Sequence, residues 1–347
     1  MEDSVAQLVV PVWFRVLTAF LFGISIGSFL NVVIYRLPRG KSVAEPQWSF
    51  CPNCQRRLQA LDLVPLLSFL LLGRKCRGCK KPISWRYFLV ELLTGALFVA
   101  VALHFAQSLP HCIAFLLFTA VLIPIFFIDL DTFTIPDSLN ILALIIPIGL
   151  DVWGIVAQNP HHALAMGWLP RSVLGIVVGW AIFAFIRLLG WLLFRQEAMG
   201  LGDVLLARAM GAMLALLPGS FPMYLLIWIL LSSGSGAVLG ILFKYALPAP
   251  ALEAGADETP LPEVNSTLPK QLADLAWSIY FGDFIDYVKY KFWRRPGETE
   301  PIMEDDEFAL APTAIPFGPY LVAGFLLTVF FGNILANAYL NYAFPPK

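Results

Sequence analysis

The stretch Cys112-Ile-Ala-Phe-Leu-Leu-Phe-Thr-Ala-Val-Leu-Ile-Pro-Ile-Phe-Phe-Ile128 carries no charge and then stops abruptly at Asp129-Leu-Asp131. A membrane-crossing helix needs about 20 mostly apolar residues. Working outward, comparable runs lie near 12–35, 87–106, 138–157, 172–194, 203–217, 222–243 and 319–340. The run at 203–217 is the shortest and ends at Pro218-Gly219. Backbone polar groups in lipid must be satisfied within the segment, so these runs predict helices. The expected fold is an all-α polytopic membrane protein with about eight transmembrane helices. Composition agrees: 59% of the chain is hydrophobic, 14% is charged and the mean hydropathy is +0.74. That excludes a soluble globular domain and a disordered chain. The net charge of −1 gives no bulk attraction to nucleic acid.

Basic residues set the orientation. Residues 36–86 hold eleven Lys/Arg, against Glu45 and Asp62 alone, and residues 244–295 add Lys244, Lys270, Lys289, Lys291, Arg294 and Arg295. The opposite connections carry almost none, so the positive-inside rule places both large loops in the cytoplasm and both termini outside. Met1 to Val10 contains Glu2 and Asp3 and lacks the basic start of a signal peptide, so 12–35 reads as a true first span. The expected organisation is a first helix (1–35), a cytoplasmic loop domain (36–86), a membrane core (87–248), a cytoplasmic insert (249–313) and a last helix (314–347). Within the insert, Leu272, Leu275, Ile279, Phe284, Val288 and Phe292 predict an amphipathic helix suited to the inner membrane surface.

Two chemical constellations stand out. Cys51-Pro-Asn-Cys54 and Cys76-Arg-Gly-Cys79 are paired thiols on tight turns in a loop expected to face a reducing compartment. This pattern suits tetrahedral Zn²⁺, and four protein ligands leave no open position, so the role expected is structural. Carboxylates at membrane-helix ends are the second. Asp129 and Asp131 close one span, Asp137 opens the next, and Asp203 follows Met199-Gly200-Leu201-Gly202. Two aspartates sharing a poorly hydrated site cannot both ionise; one charged and one protonated carboxyl can activate water and protonate a leaving amide. Gly200 and Gly202 would allow close approach of another helix or a substrate backbone. Asp137 reads as a helix start, where a carboxylate suits the free N–H groups.

In order and spacing, several segments resemble the type IV prepilin peptidases, which are bacterial inner-membrane aspartyl proteases of the GxGD type. They are Gly27 to Pro38, the two cysteine pairs, Val64 to Phe69, Arg86 to Leu92, Asp129 to Asp137, Met199 to Asp203 and Ile315 to Tyr320. The resemblance implies cleavage of the leader of type IV prepilins or type II secretion pseudopilins, after a glycine and at the cytoplasmic face. It also implies N-methylation of the new terminus with S-adenosylmethionine. The catalytic pair it implies is Asp129 and Asp203, with Asp131 as runner-up to Asp129. The methyl donor rests on the resemblance alone, with Glu91 and the Arg/Lys of the cysteine loop as candidate contributors. The chain departs from the family in two ways: Leu205 stands where Lys is usual, with Arg208 one turn on, and the 249–313 insert is long. Two other readings fit the composition: an ion- or proton-coupled transporter, and a non-catalytic scaffold of a secretion machine.

Overall fold

The computed structural model describes residues 11–51, 53–158, 168–194, 199–246 and 316–343. The chain divides into two units, Met1–Ala237 with Pro316–Lys347, and Val238–Ile315. The expected amphipathic helix of the insert lies outside the described residues. Outside the cysteine loop these residues are mostly helical, and within the loop two isolated antiparallel bridges join Phe50 to Arg57 and Lys75 to Pro82. The helices are α1 (Val12–Arg36), α2 (Leu67–Leu71), α3 (Trp85–His104), α4 (Leu109–Thr132) and α5 (Asp137–Val156). They continue with α6 (Arg171–Phe194), α7 (Leu201–Ala215), α8 (Phe221–Ala246) and α9 (Gly318–Ala343).

Seven of them are long and apolar enough to cross a membrane: α1, α3, α4, α5, α6, α8 and α9. The eighth expected span, 203–217, corresponds to α7, which has only 15 residues. Its side chains from Leu206 to Ala215 are almost wholly buried, apart from Arg208, because α5, α6 and α9 surround it. Protein, not lipid, is the solvent of α7, so its length is not set by the bilayer.

Two glycine seams bring helices to backbone distance. On α1, a Cβ added to Gly23 would lie 2.8 Å from Gly95 Cα, and one on Gly27 would lie 2.8 Å from Glu91 Cα, both on α3. On α6, Gly175 and Gly179 face Gly211 of α7, where an added Cβ would lie 2.5 Å from the Gly175 carbonyl oxygen. Small residues four apart permit this approach, and van der Waals contact drives helix association where lipid offers no hydrophobic gain.

Cross-helix hydrogen bonds distinguish the two ends of the bundle. At one end Asn31 Nδ2 donates to the Tyr87 carbonyl (3.1 Å), Arg86 pairs with Asp131, and Gly318 N–H donates to Asp129. At the other, Ser172 N–H donates to Asp151 (2.8 Å) and Tyr224 Oη donates to the Pro218 carbonyl (2.6 Å). The acid pair and the cysteine loop therefore share the first end.

The seams give a contrast in sign. Gly149→Ala, with nothing within 4 Å of the new Cβ, should gain about 0.5–1 kcal/mol from helix propensity. Gly211→Ala should lose about 1–3 kcal/mol by overpacking. Thermal melts of the two variants in detergent check both directions.

Candidate functional site

Asp129 occupies the last turn of α4, which ends where Phe133 adopts a left-handed conformation (φ 54°) and donates its N–H to the Asp129 carbonyl (2.9 Å). The Asp129 side chain turns inward and is 4% exposed. Its Oδ2 accepts the backbone N–H of Gly318, at the start of α9, at 3.0 Å. Asp203 lies in the first turn of α7 and is 8% exposed, with the Gly200 N–H donating to its carboxylate. Ile135 sits between the two helix starts. A Cβ on Gly202 would lie 3.1 Å from Ile135 Cβ, and one on Gly318 would lie 3.3 Å from Ile135 Cδ1 and 2.6 Å from Asp129 Oδ2. The glycines thus let α7 and α9 close on the end of α4 and bring the two carboxyls within electrostatic reach of each other. Asn140 of α5 borders the same place, with Nδ2 3.4 Å from the Gly202 carbonyl oxygen. Asp203 Oδ1 and Asn140 Oδ1 are buried and have no hydrogen-bond partner among the described residues. Orphaned acceptors of this kind are rare in interiors and mark a place where a donor is received.

The other acids go elsewhere. Asp131 faces away from Asp129 and forms an ion pair with Arg86 of α3, whose Nη2 also donates to the Phe127 carbonyl at 2.9 Å. Asp137 is the first residue of α5, as expected of a helix start, although the cap position itself is Pro136 and carries no side-chain cap. Arg208, one turn beyond Leu205, donates through Nε to the Leu205 carbonyl (3.3 Å) and lies near the Asp137 carboxylate.

In the cysteine loop, the four sulfur atoms of Cys51, Cys54, Cys76 and Cys79 lie within 4.8 Å of one another, a cluster able to coordinate a metal ion. The two halves are built alike. The Gln55 N–H donates to the Cys51 carbonyl (2.8 Å) and the Lys80 N–H to the Cys76 carbonyl (3.0 Å). Gln55 and Lys80, each following the second cysteine of its pair, both adopt positive φ (57° and 60°). N–H groups of Cys79 and Gly78 aimed at Cys76 hold its thiol down to about 6, so it is a thiolate at neutral pH. Arg36, at the end of α1, staples the loop by donating to the carbonyls of Ser42, Val43, Pro46 and Trp48 at 2.9–3.3 Å.

Residues 21–105 match the bacterial peptidase A24 N-terminal domain, and residues 116–241 match the type IV leader peptidase family. The chain belongs to this family. It is similar to a prepilin leader peptidase/N-methyltransferase of Myxococcus xanthus, with 33% identity over 92% of this chain and 90% of the relative. A protein of the same name from Aeromonas hydrophila is 39% identical over 66% of this chain and 81% of its own. Another, from Legionella pneumophila, is 28% identical over 95% and 96%. No solved structure matches the chain significantly.

Sequence reading of this leader peptidase missed the backbone donor at Gly318 and the wedge at Ile135. The Pro316-Phe-Gly-Pro319 start of α9 was the available signal, since glycine there meets a carboxylate and not lipid. Gly318→Ala should push Asp129 away from its donor. Peptidase activity should fall at least about tenfold, the loss expected when one charge-assisted hydrogen bond goes. Turnover assays beside a thermal melt separate this from unfolding.

Proposed function

We propose that the chain is an aspartyl endopeptidase that removes the leader of type IV prepilins or pseudopilins, with Asp129 and Asp203 as its catalytic carboxyls. The observation that carries this reading is the burial of two aspartates from different helices at one end of the bundle, one of them held by the Gly318 N–H. In this mechanism the pair shares one proton. The ionised carboxyl takes a proton from water while the water oxygen attacks the scissile carbonyl, which the protonated carboxyl polarises. The proton then passes to the leaving amide nitrogen as the C–N bond breaks. Gly200 and Gly202 leave room for a substrate backbone beside Asp203. Asp131 positions α4 through Arg86, and Asp137 opens α5.

The basic loops support placing both loop regions and the acid pair at the cytoplasmic face of the bacterial inner membrane, with the termini outside. There the hydrophobic pilin helix would lie in lipid and its leader in the cytoplasm, beside the pilus or type II secretion machinery. The donor set of four thiolates fits Zn²⁺ in a structural role, fixing a loop too small to hold a core. The relatives' names also carry N-methyltransferase. S-adenosylmethionine is accordingly proposed as the donor of a methyl group to the new amine.

Asp129→Asn and Asp203→Asn should each abolish cleavage of a prepilin by purified, folded protein, whereas Asp131→Asn should stay within about tenfold of wild type, because an exposed ion pair contributes little. Full cleavage by either of the first two variants sinks the assignment. Metal analysis should find one zinc per chain, lost together with Cys51→Ser. Protons compete for the thiolates, so zinc affinity should fall with pH, gaining one further proton of dependence below about 6, where Cys76 takes its proton. A zinc titration at several pH values reads that slope.

A further inference from the structure

From Leu139 to Leu150 the sequence of α5 holds a single polar side chain, Asn140. A polar group inside an apolar span is costly and marks a function by default. Asn140 is 1% exposed, and its side chain crosses from α5 to α7, where Nδ2 donates to the Gly202 carbonyl at 3.4 Å. That bond fixes which way the amide lies, because the reverse orientation would set two acceptors face to face. The amide oxygen, Oδ1, is buried and has no partner among the described residues. Asp203, the residue after Gly202, is left in the same condition. Its Oδ2 lies beside Gly200, whose N–H donates to the carboxylate, and its buried Oδ1 has no partner among the described residues. Two unpaired acceptors therefore meet at Gly202, one from α5 and one from α7. Leaving both unmet would cost about 1–3 kcal/mol each, so the place is built to receive donors.

We infer, on the aspartyl peptidase reading proposed above, that Asn140 is a third catalytic side chain: its Oδ1 and Asp203 Oδ1 receive the two hydrogens of the water that attacks the scissile bond. A water molecule has two hydrogens to give, and buried waters commonly bridge polar groups that lack other partners. An extended substrate backbone would reach Asn140 only by parting α5 from α7. An amide also accepts without adding a third charge beside two carboxyls that cannot both ionise. In this arrangement Asp203 is the carboxyl that takes the proton, which suits its place in the first turn of α7, where free N–H groups favour negative charge. As the water oxygen bonds to the scissile carbon, the hydrogen facing Asp203 passes to that carboxylate and then to the leaving amide nitrogen as the C–N bond breaks. The hydrogen facing Asn140 stays on the oxygen and departs with the new carboxyl group. Asn140 thus orients the attacking lone pair and holds the hydroxyl of the tetrahedral intermediate.

The test compares two peptides that span the prepilin cleavage site. One is a difluoroketone, which hydrates to a geminal diol and copies the tetrahedral intermediate; the other is the difluoro alcohol, which has one hydroxyl fewer. Their binding is measured on the full chain in detergent, with prepilin cleavage and a thermal melt on the same samples. Wild type should bind the diol about tenfold more tightly than the alcohol, and Asn140→Ala should erase that preference. Cleavage by Asn140→Ala should lose about tenfold or more in kcat with KM within about twofold, because the side chain touches the water and not the peptide. Asn140→Leu, which fills the same space without an acceptor, should behave alike. Cleavage by either folded variant within about twofold of wild type, a loss carried by KM, or a diol preference unchanged in the variants would each overturn the inference and leave the peptidase reading intact. So would a wild type that cleaves prepilin yet binds the two peptides equally, a result that does not depend on the variants folding. A wild type that cleaves no prepilin would instead strike the peptidase reading.

Discussion

A carboxylate buried among helices needs donors, and Asp129 takes one from the backbone of Gly318, 189 residues further along the chain. Leaving such a group unpaired costs several kcal/mol, so the contact closes the bundle as well as aiming the side chain. It needs α9 to begin at backbone distance from the end of α4, which is why the first residue of α9 has no side chain. Ile135 fills the remaining gap against both Gly318 and Gly202. The position of Asp203 is thereby linked to that of Asp129 through a single apolar residue. Three helix termini converge because none of them can move without exposing a carboxylate or opening a void.

The glycine seams supply the rigidity behind that convergence. α7 is held along its length by α6 at the Gly175–Gly211 contact, and it reaches the site as a short buried rod. A helix surrounded by protein has every side packed, so the start of α7, with Asp203 on it, is fixed more firmly than the end of a lipid-facing helix. On the other flank, the Gly23–Gly95 seam locks α1 to α3. α3 in turn braces α4 through Arg86, whose guanidinium binds Asp131 and the Phe127 carbonyl and lies 5.0 Å over the Phe127 ring.

Hydropathy made most of the architecture legible. The run 138–157 corresponds to Asp137–Val156, and 172–194 to Arg171–Phe194. It located α7 but not its burial, because an apolar run looks the same whether lipid or protein surrounds it. It also ended α4 too early at 128, since the helix continues through Asp129 to Thr132 on hydrogen bonds that hydropathy does not sense. Asp129 and Asp131 could not be ranked from composition, yet two positions on a helix are about 200° apart, so only one of them can face inward. The cysteine spacing announced a metal-capable cluster directly. Its matched positive-φ turns at Gln55 and Lys80 left no trace, because neither residue is a glycine. A backbone donor such as Gly318 has no side-chain chemistry to read, and it was the least visible part of the site.

The arrangement around α3 shows how one helix can serve two structural tasks at the same end of the bundle. Arg86 and Glu91 are five positions apart, about 140° around the helix. The first braces α4, and the second lines a cavity of about 350 Å³ beneath the cysteine loop. The loop that covers the cavity has too few apolar residues to fold by itself. It is held by the cysteine cluster, by the Arg36 staple to four carbonyls and by the Leu66–Glu91 hydrogen bond. Two of those three anchors end on α1 and α3, the helices that form the cavity floor. Disturbing the loop therefore reshapes the cavity first. It reaches Asp129 through α1, which also packs on α4, and through α3 and the Arg86 brace.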